Sequence, residues 1–336
     1  WPEGEHVSPV KWHFVELLQR MFLDNFAAPI NEWCERNGII LTGHVLHEDA
    51  LSCQTAMCGS LMRFYEHMGY PGVDVLSEGN RAFWIVKQLS SAARQLGQKW
   101  LLSELYGCFG INLRCPHLSW FTMEGEAKRD YPASILHQST WWEDYDFVET
   151  YFSRLGVLMT EGSPVCDLLV LNPIESLWCQ IHPGWCSGLA SATEPLKELE
   201  QAYSDLFHWL CGAQIDFDYG DEEMLSRLCS VETDEGGTPL LRVGQATYRA
   251  VLVGKMTTLR ASTLKLLVDF HQAGGQVLFA GDPPAYLDAQ PSDKPANLAR
   301  EAQQLPFTQE AVVAALCPAL PAALQVSPVG DSDVSS

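Results

Sequence analysis

Hydrophobic residues recur at helical spacing in several long segments, and short apolar runs separate these segments. Apolar positions repeat every three or four residues between Val10 and Asn37, which predicts a helix that ends at Asn37-Gly38. Gly97 ends another such segment. The further elements predicted for this half are helices over 50–67 and 86–96, strands at 39–42, 73–76 and 99–104, and a turn at Tyr70-Pro71-Gly72.

This alternation of helices and strands is typical of βα units around a parallel sheet. The three predicted strands are followed by the polar residues His44, Glu78 and Glu104. In a (β/α) barrel the chemistry lies at the carboxyl ends of the strands. We therefore predict that residues 1–163 form the C-terminal part of a (β/α) barrel and carry the catalytic site.

A second alternating block follows from residue 164. We predict that 164–289 forms a flavodoxin-like, doubly wound α/β domain, and that 290–336, rich in Pro, Ala and Ser, is a linker or the start of a further domain with a disordered tail. Asn172-Pro173 follows the first strand of this block without a glycine-rich phosphate loop, which disfavours a nucleotide-binding protein. The predicted elements are strands at 167–171, 215–217, 248–253 and 276–280 and helices over 194–210, 221–228 and 262–273.

Charge and composition exclude several classes of protein. The formal net charge is −21 at pH 7, and no local basic stripe offsets it, so we expect no nucleic-acid partner. No run approaches the roughly 20 apolar residues of a membrane span, and no secretory signal is visible. The 11 cysteines are odd in number and form no CxxC pair, which favours reduced cysteines and a cytoplasmic location. Their spacing predicts no metal site.

Two glutamates are the candidate catalytic residues. Glu104 ends the apolar strand WLLSE, and Glu78 follows the preceding predicted strand. Carboxylates on adjacent strand ends face one cleft, as glycoside hydrolysis requires: one protonates the leaving oxygen while the other activates water or attacks the sugar. The alternatives are an ion-paired barrel glutamate for Glu104 and a solvated loop residue for Glu78.

Several other residues are candidates for substrate binding. His44 and Glu48 lie in the polar segment GHVLHED, although capping of the next helix by Asp49 would also explain this segment. Trp141 and Trp142 offer aromatic faces for sugar rings, although core packing would explain many of the 11 tryptophans. Arg129 in KRDYP either binds substrate oxygens or pairs with nearby acids.

Several segments together resemble the α-L-rhamnosidase-type enzymes of glycoside hydrolase family 106. The likeness extends over about residues 40–285. The segments are LTGHVLHED (41–49), PGVDVLSEG (71–79), VKQLSSAARQLGQKWLLSELYG (86–107), the stretch from GINLRCPHLSW to GVLMTEG (110–162), DLLVLNPIESLW (167–178) and IDFDYGDEEML (215–225).

This resemblance implies a catalytic (β/α)8 barrel followed by a flavodoxin-like domain, inversion at the anomeric carbon, and calcium near the substrate. Glu104 matches the glutamate of the family's A-E-A-F strand end, and Glu78 matches the one in its G-E-F-W loop. His117 lies in the resembling stretch and is taken as a further substrate-binding residue. Relatives carry an upstream strand ending in an acid and about twenty residues between S-E-x-x-G and G-x-N-L, and both are missing here.

The leading hypothesis is therefore an α-L-rhamnosidase-like glycosidase that acts on rhamnose-containing oligo- or polysaccharides, with a carbohydrate as its partner. The alternative is a non-catalytic carbohydrate-binding or assembly fragment of such an enzyme, which the missing upstream acid favours. Half a barrel would expose parallel strand edges, which proteins normally cover. We therefore expect poor solubility for the isolated chain. A homo-oligomer stays open by fold-level analogy, because the flavodoxin-like layer mediates oligomer contacts in related sugar hydrolases.

Overall fold

The chain folds into a mixed α/β structure that contains two parallel sheets, which confirms the predicted fold class at this level. The structure is a computed structural model. It describes residues 7–75, 82–103, 109–116, 120–122, 124–126, 135–182, 184, 186–187, 190–191, 193–317 and 320.

The first half of the chain builds a parallel sheet of four short strands. Its elements are α1 (Pro9–Phe22), a π-helical turn (Leu23–Ala27), α2 (Ala28–Arg36), β1 (Thr42–Gly43), α3 (Leu51–Met57), α4 (Leu61–Tyr65), β2 (Tyr70–Val73), α5 (Trp84–Leu96), β3 (Leu102–Ser103), β4 (Leu113–Arg114), a 3-10 turn (Trp142–Asp144) and α6 (Tyr145–Thr160). The four strands lie side by side in chain order, and every neighbouring pair is parallel. Their carboxyl ends therefore meet at one edge of the sheet.

The second half builds a five-stranded sheet with the order β8-β5-β12-β14-β17, in which all pairs are parallel. The central strands β5 and β12 are continuous apolar runs and are completely buried, as strands covered on both faces are. Its elements are β5 (Leu168–Leu171), α7 (Ile174–Trp178), β6 (Cys186–Ser187), β7 (Ala190–Ser191), α8 (Glu194–Gly212), β8 (Asp218–Gly220), α9 (Glu222–Leu228), β9 (Cys229–Thr233), β10 (Pro239–Val243), β11 (Ala246–Tyr248), β12 (Ala250–Val253), β13 (Thr258–Leu259), α10 (Ala261–Gln272), β14 (Gln276–Ala280), β15 (Tyr286–Leu287), β16 (Gln290–Pro291), α11 (Lys294–Glu301), β17 (Gln303–Leu305) and α12 (Gln309–Leu316).

Helix α5 joins the two halves, because it is buried on nearly every side. Its polar residues face the edge strand β8: Lys87 donates to Asp216 at 2.7 Å, and Arg94 donates to Asp218 at 3.1 Å. Gln95 donates to the carbonyl oxygen of Tyr219 at 2.8 Å. Of two apolar core clusters, one contains residues from both sheets. The two halves therefore share one layer of helices.

A buried ion cluster makes a second connection between the halves. The Arg63 guanidinium on α4 donates to Asp221 at 2.8 Å and also to Glu175, and it lies over the Trp178 ring. Arg260 donates to Glu175 from the other side, at 2.7 Å. Burial opposes ionisation of Asp221, but Arg63, the Ser60 hydroxyl and Arg260 together outweigh burial and lower the pKa of that carboxyl. Each of these buried charged groups therefore has an oppositely charged partner, which offsets the cost of removing it from water.

Some boundaries differ from the sequence predictions, with identifiable causes. Pro71 and Gly72 were predicted in a turn but lie within β2. A Cβ on Gly72 would lie 2.6 Å from the Gly43 carbonyl oxygen, so the glycine permits close approach of β1 rather than a turn. The helix predicted over 50–67 divides into α3 and α4 at Gly59, whose φ is +90°. Of the strand predicted at 39–42, only Thr42 lies in a strand, β1, which ends at Gly43.

The second half also contains elements that the sequence did not predict. Three antiparallel strands, β9, β10 and β11, form a separate sheet over 229–248. The strand at 276–280 was predicted to be the last one, but β17 pairs with it and extends the sheet beyond residue 289. The strand predicted at 215–217 instead forms at β8. The proposed domain boundaries stay predictions.

The cysteines of the described part of the chain, Cys34, Cys53, Cys58, Cys115, Cys166, Cys179, Cys211, Cys229 and Cys317, are free thiols. Burial raises the pKa of Cys166 and Cys179 to about 12, so both are inert apolar residues of the core rather than nucleophiles. None of the helices in the described ranges combines the length and apolarity needed to cross a membrane.

Candidate functional site

The candidate site lies at the edge where the carboxyl ends of β1 to β4 meet. His44 follows β1 and Asp74 follows β2 directly, and Arg114 is the last residue of β4. Ser103 is the last residue of β3, and Glu104 is the next residue in the sequence. Parallel sheets place functional side chains at this edge because the loops that follow the strands converge there.

Glu48 forms hydrogen bonds to the backbone after both β1 and β2. Its Oε1 accepts the Val45 N–H at 2.9 Å, and its Oε2 accepts the Asp74 N–H at 2.9 Å. The side chain is buried, with 2% of the residue exposed. Burial raises the pKa of the Glu48 carboxyl to about 8, although the two backbone hydrogen bonds oppose this. The structure therefore places this predicted substrate-binding residue beneath the surface, between the loop after β1 and the end of β2.

His44 and Asp74 form the accessible part of the site. The His44 Nδ1 lies 4.0 Å from the Asp74 Oδ2 and 2.8 Å from the Val45 carbonyl oxygen. Both side chains are partly exposed. The Asp74 Oδ1 is buried and has no hydrogen-bond partner among the described residues. A ligand hydroxyl or N–H can reach the carboxyl group only through the part of the Asp74 side chain that is exposed, 29% of its surface.

Asp74 is the site residue that sequence reasoning missed. It was predicted to be part of a short strand at 73–76, whereas β2 ends at Val73. A signal was present in the sequence: an aspartate within the apolar run Val73-Asp74-Val75 is unusual unless a partner or ligand satisfies it.

Arg114 anchors the segment that carries the tryptophan pair. Its Nη1 donates to the Tyr145 hydroxyl at 3.0 Å and to the Glu149 carboxylate, and its guanidinium lies over the Phe152 ring. Because the 3-10 turn leads directly into Tyr145, Trp141 and Trp142 lie near the carboxyl end of β4. They are 51% and 45% exposed, so their rings are accessible to a ligand rather than part of the core.

The remaining predicted residues, Glu78, Glu104, His117 and Arg129, lie outside the described residues. Calcium, which the family resemblance implies, takes six to eight oxygen ligands. The described part of the chain contains no group of three or more His, Cys, Asp or Glu residues arranged to hold a metal ion. The described residues therefore supply no carboxylate cluster for calcium.

Comparisons with known proteins give a consistent picture of the fold. No family model matches the sequence, and no curated protein matches it significantly. Among solved structures, the chain is similar to a rhamnosidase from Novosphingobium sp. PP1Y, with a TM-score of 0.59 and 17% identity over 91% of this chain and 31% of that protein.

It is also similar to Gan42B, a GH42 beta-galactosidase from G. stearothermophilus, with a TM-score of 0.54 and 13% identity over 87% of this chain and 44% of that protein. A beta-galactosidase from Bacillus circulans sp. alkalophilus gives a TM-score of 0.53 and 12% identity over 84% of this chain and 41% of that protein. The chain thus shares a fold with glycoside hydrolases, and it spans less than half the length of each of these three.

Proposed function

We propose that the chain is an α-L-rhamnosidase-like glycosidase, in which β1 to β4 are the second half of a (β/α) barrel. One observation carries this proposal: four parallel strands in chain order gather polar residues at their carboxyl ends, in a chain whose fold matches a rhamnosidase over 91% of its length. The five-stranded sheet supports it, because its order corresponds to 2-1-3-4-5 when its strands are counted along the chain. That order is the flavodoxin-like one.

In this proposal the described residues bind and orient the sugar. The partly exposed Asp74 carboxylate accepts a sugar hydroxyl, and His44 beside it supplies a ring nitrogen to a neighbouring hydroxyl. Trp141 and Trp142 provide exposed aromatic faces for the C–H side of a pyranose ring. Glu48 keeps the two strand ends at a fixed separation.

The chemical step is assigned to Glu104 and Glu78, which follow β3 and β2 in the sequence. One carboxyl group protonates the leaving oxygen, and the other, as carboxylate, removes a proton from the water that attacks the anomeric carbon. The resemblance implies inversion, for which the two carboxyl groups are separated by about 6.5–9.5 Å so that a water molecule fits between them.

Hydrolysis of 4-nitrophenyl α-L-rhamnoside tests the assignment, with 4-nitrophenyl β-D-galactoside as a second substrate and each assay run with and without calcium. We expect release of nitrophenol from the rhamnoside, and a loss of at least about 100-fold in kcat for Glu104→Gln. Glu301→Gln on the exposed face of α11 is the matched control and should retain full activity. Unchanged hydrolysis by Glu104→Gln would refute the catalytic role.

A second candidate function is carbohydrate binding without turnover. The observation that favours it is the exposure of Trp141 and Trp142, whose rings lie near the carboxyl end of β4 and are accessible to a sugar. Calorimetric titration with rhamnose oligosaccharides separates the two functions: a binding module binds without releasing product, and Trp141→Ala weakens that binding. A chain that neither binds nor hydrolyses rhamnosides would contradict both.

A further inference from the structure

The loop that follows β1 carries two of the predicted binding residues. It covers residues 44–50, between β1 and α3, and contains His44 and Glu48. His47 within this loop has a φ of +55°, a left-handed conformation that residues other than glycine rarely adopt. Such a conformation persists only where the surrounding structure imposes it. Contacts from outside the loop should therefore determine where His44 and Glu48 lie.

Two of these contacts hold backbone carbonyl groups of the loop. The Gln54 Nε2 on α3 donates to the Glu48 carbonyl oxygen at 2.8 Å, and it also donates to the Gln88 Oε1 on α5 at 2.9 Å. Gln54 and Gln88 are completely buried. The Trp84 Nε1, also on α5, donates to the Asp49 carbonyl oxygen at 2.9 Å. Helices α3 and α5 thus fix two successive carbonyl groups of the loop.

A third contact comes from the second half of the chain. Glu200 lies on α8, 148 residues from Ser52, and its Oε1 accepts the Ser52 N–H at 2.7 Å. Ser52 is the second residue of α3, and the first N–H groups of a helix have no partner within it. Ala50, the residue before α3, has no side chain that can cap the helix. Glu200 therefore supplies the cap that the local sequence lacks, and its carboxylate lies at the positive end of the helix dipole.

Aromatic packing keeps α8 beside the same loop. The Trp84 ring lies edge-on to the rings of Tyr203, Phe207 and His208 on α8, with centroid separations between 6.1 and 6.3 Å. Glu200 precedes Tyr203 by three residues, so the two side chains lie on neighbouring positions of the helix surface. The position of the loop is therefore coupled to the position of α8.

We propose that Glu200 is a positioning residue of the candidate site, which fixes the end of the loop to α8 and thereby sets where His44 lies relative to Asp74. This inference rests on the proposed function, in which His44 and Asp74 bind the sugar. Without the Glu200 carboxylate, the Ser52 N–H loses its acceptor, and the loop can relax from the left-handed conformation at His47. The second half of the chain then contributes to sugar binding through the position of the loop.

Hydrogen exchange and NMR spectra of the full chain test this role without substrate. We expect Glu200→Ala to accelerate exchange in the peptide 44–52 at least about tenfold. It should also shift the imidazole resonances of His44, which a spectrum of His44→Gln identifies. Glu200→Gln keeps an oxygen that can accept the Ser52 N–H, so it should restore both measurements. Glu198→Ala, at an exposed position of α8, is the matched control and should change neither.

A general loss of stability would give a different result. The exchange of β5 and the resonances of His271 on α10 report on parts of the molecule away from the loop. Both should be the same in Glu200→Ala as in the unchanged chain, because the substitution acts on the loop and not on the five-stranded sheet.

Kinetics with 4-nitrophenyl α-L-rhamnoside test the consequence for the sugar. Glu200→Ala should raise KM at least about fivefold and change kcat by less than about twofold, because the loop is assigned to binding. The chemical step is assigned to Glu104 and Glu78, which the substitution leaves in place. A smaller fraction of folded molecules would instead lower kcat and leave KM unchanged.

Failure of the proposed function and failure of this inference give different results. A chain that neither binds nor hydrolyses rhamnosides contradicts the proposed function, while hydrogen exchange and the His44 resonances still decide the role of Glu200. That role is overturned if Glu200→Ala matches Glu198→Ala in both measurements, or if Glu200→Gln restores neither. An unchanged KM in an active Glu200→Ala chain would overturn it as well.

Discussion

Removal of Arg63 should destabilise the whole chain, because this residue pairs with two buried carboxylates from the other half. The guanidinium contacts Asp221 and Glu175, and all three side chains are almost completely buried. Arg63→Met keeps much of the apolar volume of the side chain but removes the charge. Asp221 then loses the cation that forms a salt bridge with it, while Glu175 retains Arg260.

The expected loss follows from the burial of these charges. Breaking a buried ion pair by removing one partner costs about 3–5 kcal/mol, because the remaining charge is left without compensation. A domain is stable by about 5–15 kcal/mol, so this loss is a large part of the total. Since one apolar core contains residues from both sheets, we expect a single transition with a lower midpoint rather than the separate loss of one half.

Urea unfolding followed by far-UV circular dichroism measures this effect. Arg242→Met is the matched control, because Arg242 pairs with Glu232 on an open sheet surface and its loss should leave the midpoint unchanged. Adding Asp221→Asn to Arg63→Met should recover part of the stability, since the unpaired charge is then removed. Equal midpoints for Arg63→Met and Arg242→Met would refute the interpretation that the cluster holds the two halves together.

Three further predictions concern other parts of the molecule. The pKa of Glu48 is raised to about 8 in the folded chain, so the folded state retains a proton that the unfolded state releases. Stability should therefore fall by up to about 1.4 kcal/mol per pH unit as the pH rises from about 4.5 to about 8. Glu48→Gln should flatten this dependence in urea titrations, and an unchanged slope would contradict the assignment. Asp74→Ala should weaken rhamnoside binding in calorimetry at least about tenfold, whereas Asp269→Ala on α10 should not, and equal affinities would exclude Asp74 from the site. Gly244→Ala should destabilise the chain by about 1–3 kcal/mol more than Gly237→Ala. Both glycines have positive φ, but only a Cβ on Gly244 would collide with the Gln95 carbonyl oxygen, at 2.0 Å. Equal thermal midpoints for the two variants would contradict this prediction.

The sequence predicted those elements whose signals are local. The periodicity before Gly97 placed α5 correctly, because a glycine with a φ of +76° ends the helix. Pro71 and Gly72 were wrongly assigned to a turn. Gly72 is needed because the Gly43 backbone approaches it closely, and a short sequence window does not show a contact between such distant residues. The hairpin strands over 229–248 mix apolar and charged residues, so their pairing depends on partners that no short window contains. At the site, the sequence identified His44 as a residue near a strand end, but only the structure distinguished the partly exposed Asp74 from the buried Glu48.

The helical layer shared by the two sheets limits how such a protein can evolve. Lys87 and Arg94 on α5 have their counter-charges on and beside β8, in the other half of the chain. A recombination event that exchanged the five-stranded sheet for another module would leave these cations facing an apolar or unmatched surface. The gene segments that encode the two sheets are therefore expected to be inherited together, and their substitutions at this boundary to occur in compensating pairs.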